Sequence, residues 1–236
     1  LFAVYITNFS CGPDSFLLNF FNHSSGTKPH LQIEIDEHSA DAGIITRCEA
    51  FLDTLINHKS SDVEEKGPAF GLYMRSYTDH RKVYLPNMSA HAYALSAAMQ
   101  RVGLQAEVMA ESDAETIALG RKYTSGKECY PALLTAGDMI RQIRRNDFDP
   151  ARSAFFMGAS DGPCRFGQYN TLHRLILDDL GLRDVPLYVV DQDDTFWKDV
   201  DMAGGREFER TAWLGICAVD LFERLVLSTR PYEVNR

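Results

Sequence analysis

Short apolar runs of strand length alternate along the chain with longer segments of helical period. Leu1-Phe2-Ala3-Val4-Tyr5-Ile6 predicts a buried strand, and Phe16, Leu17, Phe20 and Phe21 predict the helix that follows it. Leu31-Gln32-Ile33-Glu34-Ile35-Asp36 predicts a second strand. From Ala40 to Asn57 the apolar positions Ile44, Ile45, Cys48, Phe51, Leu52, Leu55 and Ile56 recur at spacings of three and four, which predicts a helix. The chain then turns polar, and no period survives across Ser60–Gly67, so residues 59–81 are expected to be a linker or an exposed excursion.

Beyond it the strand–loop–helix rhythm returns. Strands are predicted at Lys82–Pro86, Leu104–Met109, Ala154–Met157 and Leu187–Val190, with helices over Ala90–Val102, Pro131–Arg145, Phe166–Leu180 and Glu207–Ser228. Strands alternating with helices of this length mean βαβ units and a parallel sheet, and right-handed crossovers place helices on both faces. The expected architecture is therefore α/β, a Rossmann-like parallel sheet flanked by helices in two unequal lobes. Residues 1–58 would form the end of one α/β domain and residues 82–236 a second.

Charge narrows the function classes. Lys and Arg number 24 against 33 Asp and Glu, a formal net charge of −9 over 236 residues. A phosphate-backbone partner needs clustered cations, and the one cluster present, Arg141, Arg144 and Arg145 with Arg152 nearby, sits at a helix end. Nucleic acid is not an expected partner. No apolar run approaches the ~20 residues of a membrane span, so no membrane role is expected either. The opening Leu1–Ile6 has neither an initiator Met nor a basic leader, and reads as the interior of a longer polypeptide. Five cysteines, an odd and sparse set, fit a reducing cytoplasmic compartment better than a disulfide scaffold.

The usual phosphate-binding and hydrolase signatures are missing, and the seven histidines are scattered, which suits surface or structural roles. The cysteines divide into two kinds. Cys48 lies on its helix stripe and Cys217 on the stripe Leu214, Cys217, Leu221, Leu225, and both are expected to pack in the core as small hydrophobes. Cys11, Cys129 and Cys164 instead lie in Ser10-Cys11-Gly12-Pro13, Cys129-Tyr130-Pro131 and Pro163-Cys164-Arg165, each beside Pro or Gly and just before a predicted helix. A helix N-terminus favours a thiolate, and in an open α/β sheet such loops gather at the carboxyl edge of the strands, where ligands bind. Three converging thiolates suit zinc or an iron–sulfur cluster with one exchangeable corner. The long gaps between them match no local C-x₂-C motif, so spacing leaves unliganded loop cysteines equally open.

Four blocks carry a resemblance. They are Asn8-Phe9-Ser10-Cys11-Gly12-Pro13-Asp14-Ser15-Phe16, Glu34-Ile35-Asp36-Glu37-His38-Ser39-Ala40-Asp41-Ala42-Gly43 with Thr46–Phe51, Gly126-Lys127-Glu128-Cys129-Tyr130-Pro131, and Gly162-Pro163-Cys164-Arg165-Phe166-Gly167-Gln168-Tyr169-Asn170. In that order they resemble the C-terminal region of large proteins related to 2-hydroxyacyl-CoA (2-hydroxyglutaryl-CoA) dehydratases and their ATP-dependent activators. Cys48 departs from the pattern, standing where an aliphatic residue is expected. The resemblance implies a [4Fe–4S] cluster on Cys11, Cys129 and Cys164. Arg165, Gln168 and Tyr169 would then be hydrogen-bond partners of the cluster sulfurs, their alternative being capping and core anchoring. It also implies a low-potential electron delivered by an actin-like ATPase activator, whose ATP site lies outside this chain, for reductive dehydration or reduction of a CoA thioester. A non-catalytic electron relay or scaffold, and a structural zinc domain, are the alternatives. Glu34, Asp36, Glu37, His38 and Asp41 form a polar block that would line a site or face a partner. For Ser39 and Asp41 helix capping and the acidic preference of a first turn are the simpler expectation.

Overall fold

The computed structural model describes residues 1–8, 12–58, 73–74, 80–191 and 204–234. Its contacts divide the chain into two units, Leu1–Ala69 with Ser125–Glu128, and Phe70–Thr124 with Cys129–Arg236. The first is built on β1 (Ala3–Thr7), α1 (Asp14–Ser25), β2 (His30–Glu34) and α2 (Asp41–Asn57). β1 and β2 pair in parallel from Ala3↔His30 to Thr7↔Glu34, the arrangement that a helical crossover permits. Tyr5 Oη (3.0 Å) and Thr7 Oγ1 (2.5 Å) both donate to the Asp14 carboxylate, fastening the start of α1 to β1. The Thr7 hydrogen bond is the main reason that this carboxyl is held below its ordinary range. Phe16, Leu18 and Ile33 are buried between the elements. The segment Ser125–Glu128 belongs to this unit through Lys127 Nζ, 2.8 Å from Glu34 Oε1, and Glu128 Oε1, which accepts from Asn19 Nδ2.

Only one of the two apolar rows on α2 packs inward. Ile44, Cys48, Phe51 and Leu55 are half-buried, whereas Ile45, Leu52 and Ile56 are exposed. Cys48 thus sits on the inward row without reaching full burial. Ser39 does not cap α2: its Oγ donates to Asp36 Oδ1 at 2.9 Å and accepts from the Asp36 N–H, closing a turn ahead of the helix. The N-cap position is Ala40, which has no side-chain acceptor, while Asp41 does occupy the first turn.

The second unit carries one all-parallel sheet. Its strands are β3 (Tyr73–Met74), β4 (Lys82–Leu85), β5 (Gln105–Val108), β6 (Ser153–Ala159) and β7 (Leu187–Asp191), in the spatial order β3-β7-β6-β4-β5. The helices are α3 (His91–Arg101), α4 (Ala114–Tyr123), α5 (Tyr130–Ile143), α6 (Tyr169–Asp179) and α7 (Gly205–Thr229). This is the expected Rossmann-like α/β architecture, and the strand order reverses at β4, whose neighbours are β5 and β6. Val83, Leu85, Ala106 and Tyr188 of the sheet pack with Ala98 and Met99 of α3 and Phe208 and Ala212 of α7. α4 pairs with α5 across a glycine seam. A Cβ on Gly120 would lie 2.2 Å from the Leu133 carbonyl oxygen, and one on Gly137 would lie 2.1 Å from that of Thr116.

Three further features of the structure go beyond the sequence reading. The stretch 59–81 contains a described strand, because Tyr73 and Met74 pair with Leu187 and Tyr188; the rest of that stretch, apart from His80 and Arg81, lies outside the described residues. α4 was not anticipated, although Asp113 and Thr116 form a capping box there, with Thr116 N donating to Asp113 Oδ1 at 2.9 Å. Cys217 is not in the core. It is exposed, as are Leu214, Leu221 and Leu225, because α7 turns a different face inward. That face is formed by Phe208, Ala212 and Gly215, where a Cβ on Gly215 would come within 2.8 Å of Ala94 Cβ. α7 is apolar on more than one side, and backbone approach through small residues selects the buried face. Among the described residues, no helix is long and apolar enough to cross a membrane.

Candidate functional site

The topology puts two of the singled-out cysteines at the carboxyl edge of the sheet of the second unit. Cys164 lies on the loop that leaves β6, next to the strand-order reversal where open α/β sheets bind ligands. Cys129 is the N-cap residue of α5, the helix that runs back to the start of β6, with Pro131 in the first turn. Its carbonyl accepts from Ala132 N at 3.0 Å, while its thiol makes no capping bond. The sulfur is turned elsewhere: Cys129 Sγ lies 2.7 Å from Tyr169 Oη.

Tyr169 begins α6 and is buried, its ring edge-on to Phe166 with centroids 5.4 Å apart. Burial pushes its phenol well above the ordinary tyrosine range. The hydrogen bond to Cys129 and the charges of Cys129 and Cys164 push it further, against an opposing contribution from the Arg165 guanidinium. A phenol that holds its proton this firmly donates to the Cys129 sulfur whenever that sulfur is a thiolate. Tyr169 therefore couples to both thiols, by hydrogen bond to one and by charge to the other. Arg165 lies close enough to act on the same phenol. Gln168 is half-buried at the junction of the short 3₁₀ turn Arg165–Gln168 and α6, and its side chain does not cap α6.

The loop that carries Cys164 is folded tightly onto its own turn. Gly167 N donates to Cys164 O at 3.3 Å, and a Cβ on Gly167 would lie 2.0 Å from the Ser160 carbonyl oxygen. No side chain fits there without moving the backbone. Gly167→Ala is expected to displace the Cys164 loop, lowering stability by about 1–3 kcal/mol, the range of overpacking. Urea unfolding reads this directly, and an unchanged midpoint would show that the loop yields at no cost.

Cys11 lies outside the described residues. Among the described residues, no group of three mutually close potential metal ligands includes Cys129 or Cys164. The two described thiols are soft donors of the kind that hold zinc or iron–sulfur clusters. Of the polar block after β2, Asp36, His38 and Ser39 line a shallow depression with Glu34, Ile35 and Arg47 in the first unit. A broader groove lies along the start of α7, between Arg101, Glu207, Arg210 and Trp213. There the Arg101–Glu207 ion pair, 2.9 Å, joins α3 to α7.

Two features of the second unit were invisible in the sequence. His173 and Thr135 meet in the core, Nε2 to Oγ1 at 3.1 Å, across 38 residues of chain. His91 lies against Asp220, 129 residues away. Neither pair carries a local motif. No family model matches the chain, and no similar protein was found among curated sequences or among solved structures.

Proposed function

We propose that the second unit is the cysteine-bearing part of an iron–sulfur redox domain related to 2-hydroxyacyl-CoA dehydratases. In this reading Cys129 and Cys164 are two of the ligands of a cluster, tested together with Cys11 as the third. The observation that carries it is the buried Tyr169 phenol, held 2.7 Å from Cys129 Sγ and acted on by the charge of Cys164. A cluster of this kind supplies low-potential single electrons, here from an ATP-driven activator to a bound CoA thioester. The chain's own residues do the rest. Cys129 stands at the N-cap of α5, its sulfur turned to Tyr169. Tyr169 Oη would donate a hydrogen bond to that sulfur when it ligates a cluster, and such a donor would raise the reduction potential.

Anaerobic reconstitution of the full chain with iron and sulfide, read by iron content and visible spectrum, tests the assignment. Near-stoichiometric cluster is expected in the parent, in Cys48→Ala and in Cys217→Ala, and its loss in Cys11→Ala, Cys129→Ala and Cys164→Ala. Tyr169→Phe should keep the cluster and shift its potential downward. A parent that takes up zinc but no iron would replace this reading with the structural zinc domain. A parent that takes up neither would remove the metal role of these thiols.

A further inference from the structure

The helices α3 and α7 run antiparallel in close contact, and the contact is pinned along its length. Arg101 pairs with Glu207 at 2.9 Å at one end, and Gly215 meets Ala94 so closely that a Cβ would stand 2.8 Å away. One turn beyond Ala94, at the start of α3, His91 faces the C-terminal half of α7. There Asp220 and Glu223 stand at i and i+3 and so share one face. The potential ligand atoms of His91, Asp220 and Glu223 all lie within 4.8 Å of one another, with His91 half-buried and both carboxylates open to solvent.

The imidazole is already oriented for a ligand role. Its Nδ1 is 3.1 Å from Ser89 Oγ, and its Nε2 is 2.8 Å from Asp220 Oδ1. A metal-binding histidine takes this form, with one ring nitrogen held by a fixed partner and the other aimed at the ion. The backbones that carry the three groups are locked by the small-residue contact at Ala94 and Gly215, so the site needs only side-chain adjustment to close. Its donor set, one imidazole and two carboxylates, suits a divalent first-row transition ion of the zinc class. Three protein ligands leave a coordination position for water or an anion.

We propose that His91, Asp220 and Glu223 bind a divalent transition-metal ion that clamps α7 to α3. This site shares no residue with the cysteines, and its chemistry is distinct from theirs. Ser89 is a positioning residue that holds the ring through Nδ1.

Cobalt(II) titration of the untagged full chain tests the proposal, because imidazole–carboxylate cobalt shows ligand-field bands without sulfur-to-metal charge transfer. Any cobalt on the cysteines declares itself by that charge transfer. Saturable binding of one ion with the sulfur-free spectrum is expected. Loss of a supporting partner costs about 10–100-fold in metal affinity, so Ser89→Ala should weaken binding by about that factor. His91→Ala and Glu223→Gln should weaken it by more. Glu223 is exposed, so Glu223→Gln leaves the fold intact and keeps the test meaningful if His91→Ala unfolds. A thermal midpoint that rises with cobalt in the parent and not in Glu223→Gln would supply an independent readout. No sulfur-free binding, or binding of equal strength in Glu223→Gln, would overturn the proposal and leave a helix–helix ion pair.

Discussion

Arg174→Met is expected to lower the unfolding free energy by about 4 kcal/mol, a large fraction of what holds a domain of this size together. Arg174 is fully buried on α6, yet its guanidinium is completely engaged. Nε donates to Asp178 Oδ1 at 2.9 Å, Nη1 to the Val185 carbonyl at 2.7 Å, and Nη2 to the Leu182 carbonyl at 3.0 Å. It thereby ties the turn after α6 to the helix and sets the entry of β7 into the sheet. Methionine fills much of the volume and removes every donor. Asp178 is then left as a buried charge without its cation, a loss that costs about 3–5 kcal/mol, and two carbonyls lose a donor as well. Urea unfolding should show the drop with little change in slope. The double variant Arg174→Met with Asp178→Leu is expected to recover at least half of the loss, because no unpaired charge remains. A single-variant loss below about 1 kcal/mol would mean that water reaches Asp178 when the guanidinium goes.

Acid should weaken the protein from about pH 6.5 downward, and His173 is the reason. Burial holds this imidazole at about 4, against an ordinary value of 6.5. Above pH 6.5 the ring is neutral in both folded and unfolded chains, so its contribution to stability is fully present. Below that pH the unfolded chain takes up a proton that the folded chain refuses. Stability is then lost progressively until the pH reaches about 4, to a total of about 3 kcal/mol. Asp14, Asp113 and Asp147 are all held below their ordinary value, so their losses begin at lower pH. Asp138, raised mainly by burial, works in the opposite sense. Comparison with His173→Gln, which cannot titrate, isolates the histidine. The parent should lose stability between pH 6.5 and about 4 with a slope that the variant lacks, and parallel profiles would sink the assignment.

The sequence carried the alternation of elements well because the sheet is parallel and buried on both faces. Strands such as Leu187–Asp191 then read as continuous apolar runs, and the helices between them show their own period. The failures have physical causes. α4 is short, and Gly120 with the basic pair Arg121 and Lys122 interrupts its stripe; the capping box at Asp113 was its one local signal. On α7 several rows are apolar, and periodicity cannot tell a row of leucines from the row of Phe208, Ala212 and Gly215 that lets two backbones meet. The cysteine loops were legible because Pro and Gly flank Cys129 and Cys164. The partner that joins them was legible only as a residue on the next helix. The 2.7 Å contact between Cys129 and Tyr169 depends on α5 and α6 lying side by side, which no local pattern encodes.

The reversal of strand order also dictates a schedule for folding. Lys82 pairs with Gln105 on one side, a partner that follows within a single βαβ unit, and with Ser153 on the other, which arrives only after α4 and α5 have been made. During synthesis β4 therefore gains one neighbour early and waits through two further helices for the next, with the buried row Val83, Tyr84 and Leu85 open along its edge meanwhile. Pairings of such long range are slow to form, and an unpaired apolar edge is where nascent chains stick to one another. Recovery of this protein from overexpression should thus be governed by how quickly β6 follows β5 out of the ribosome, and slower translation across α4 and α5 should increase aggregation.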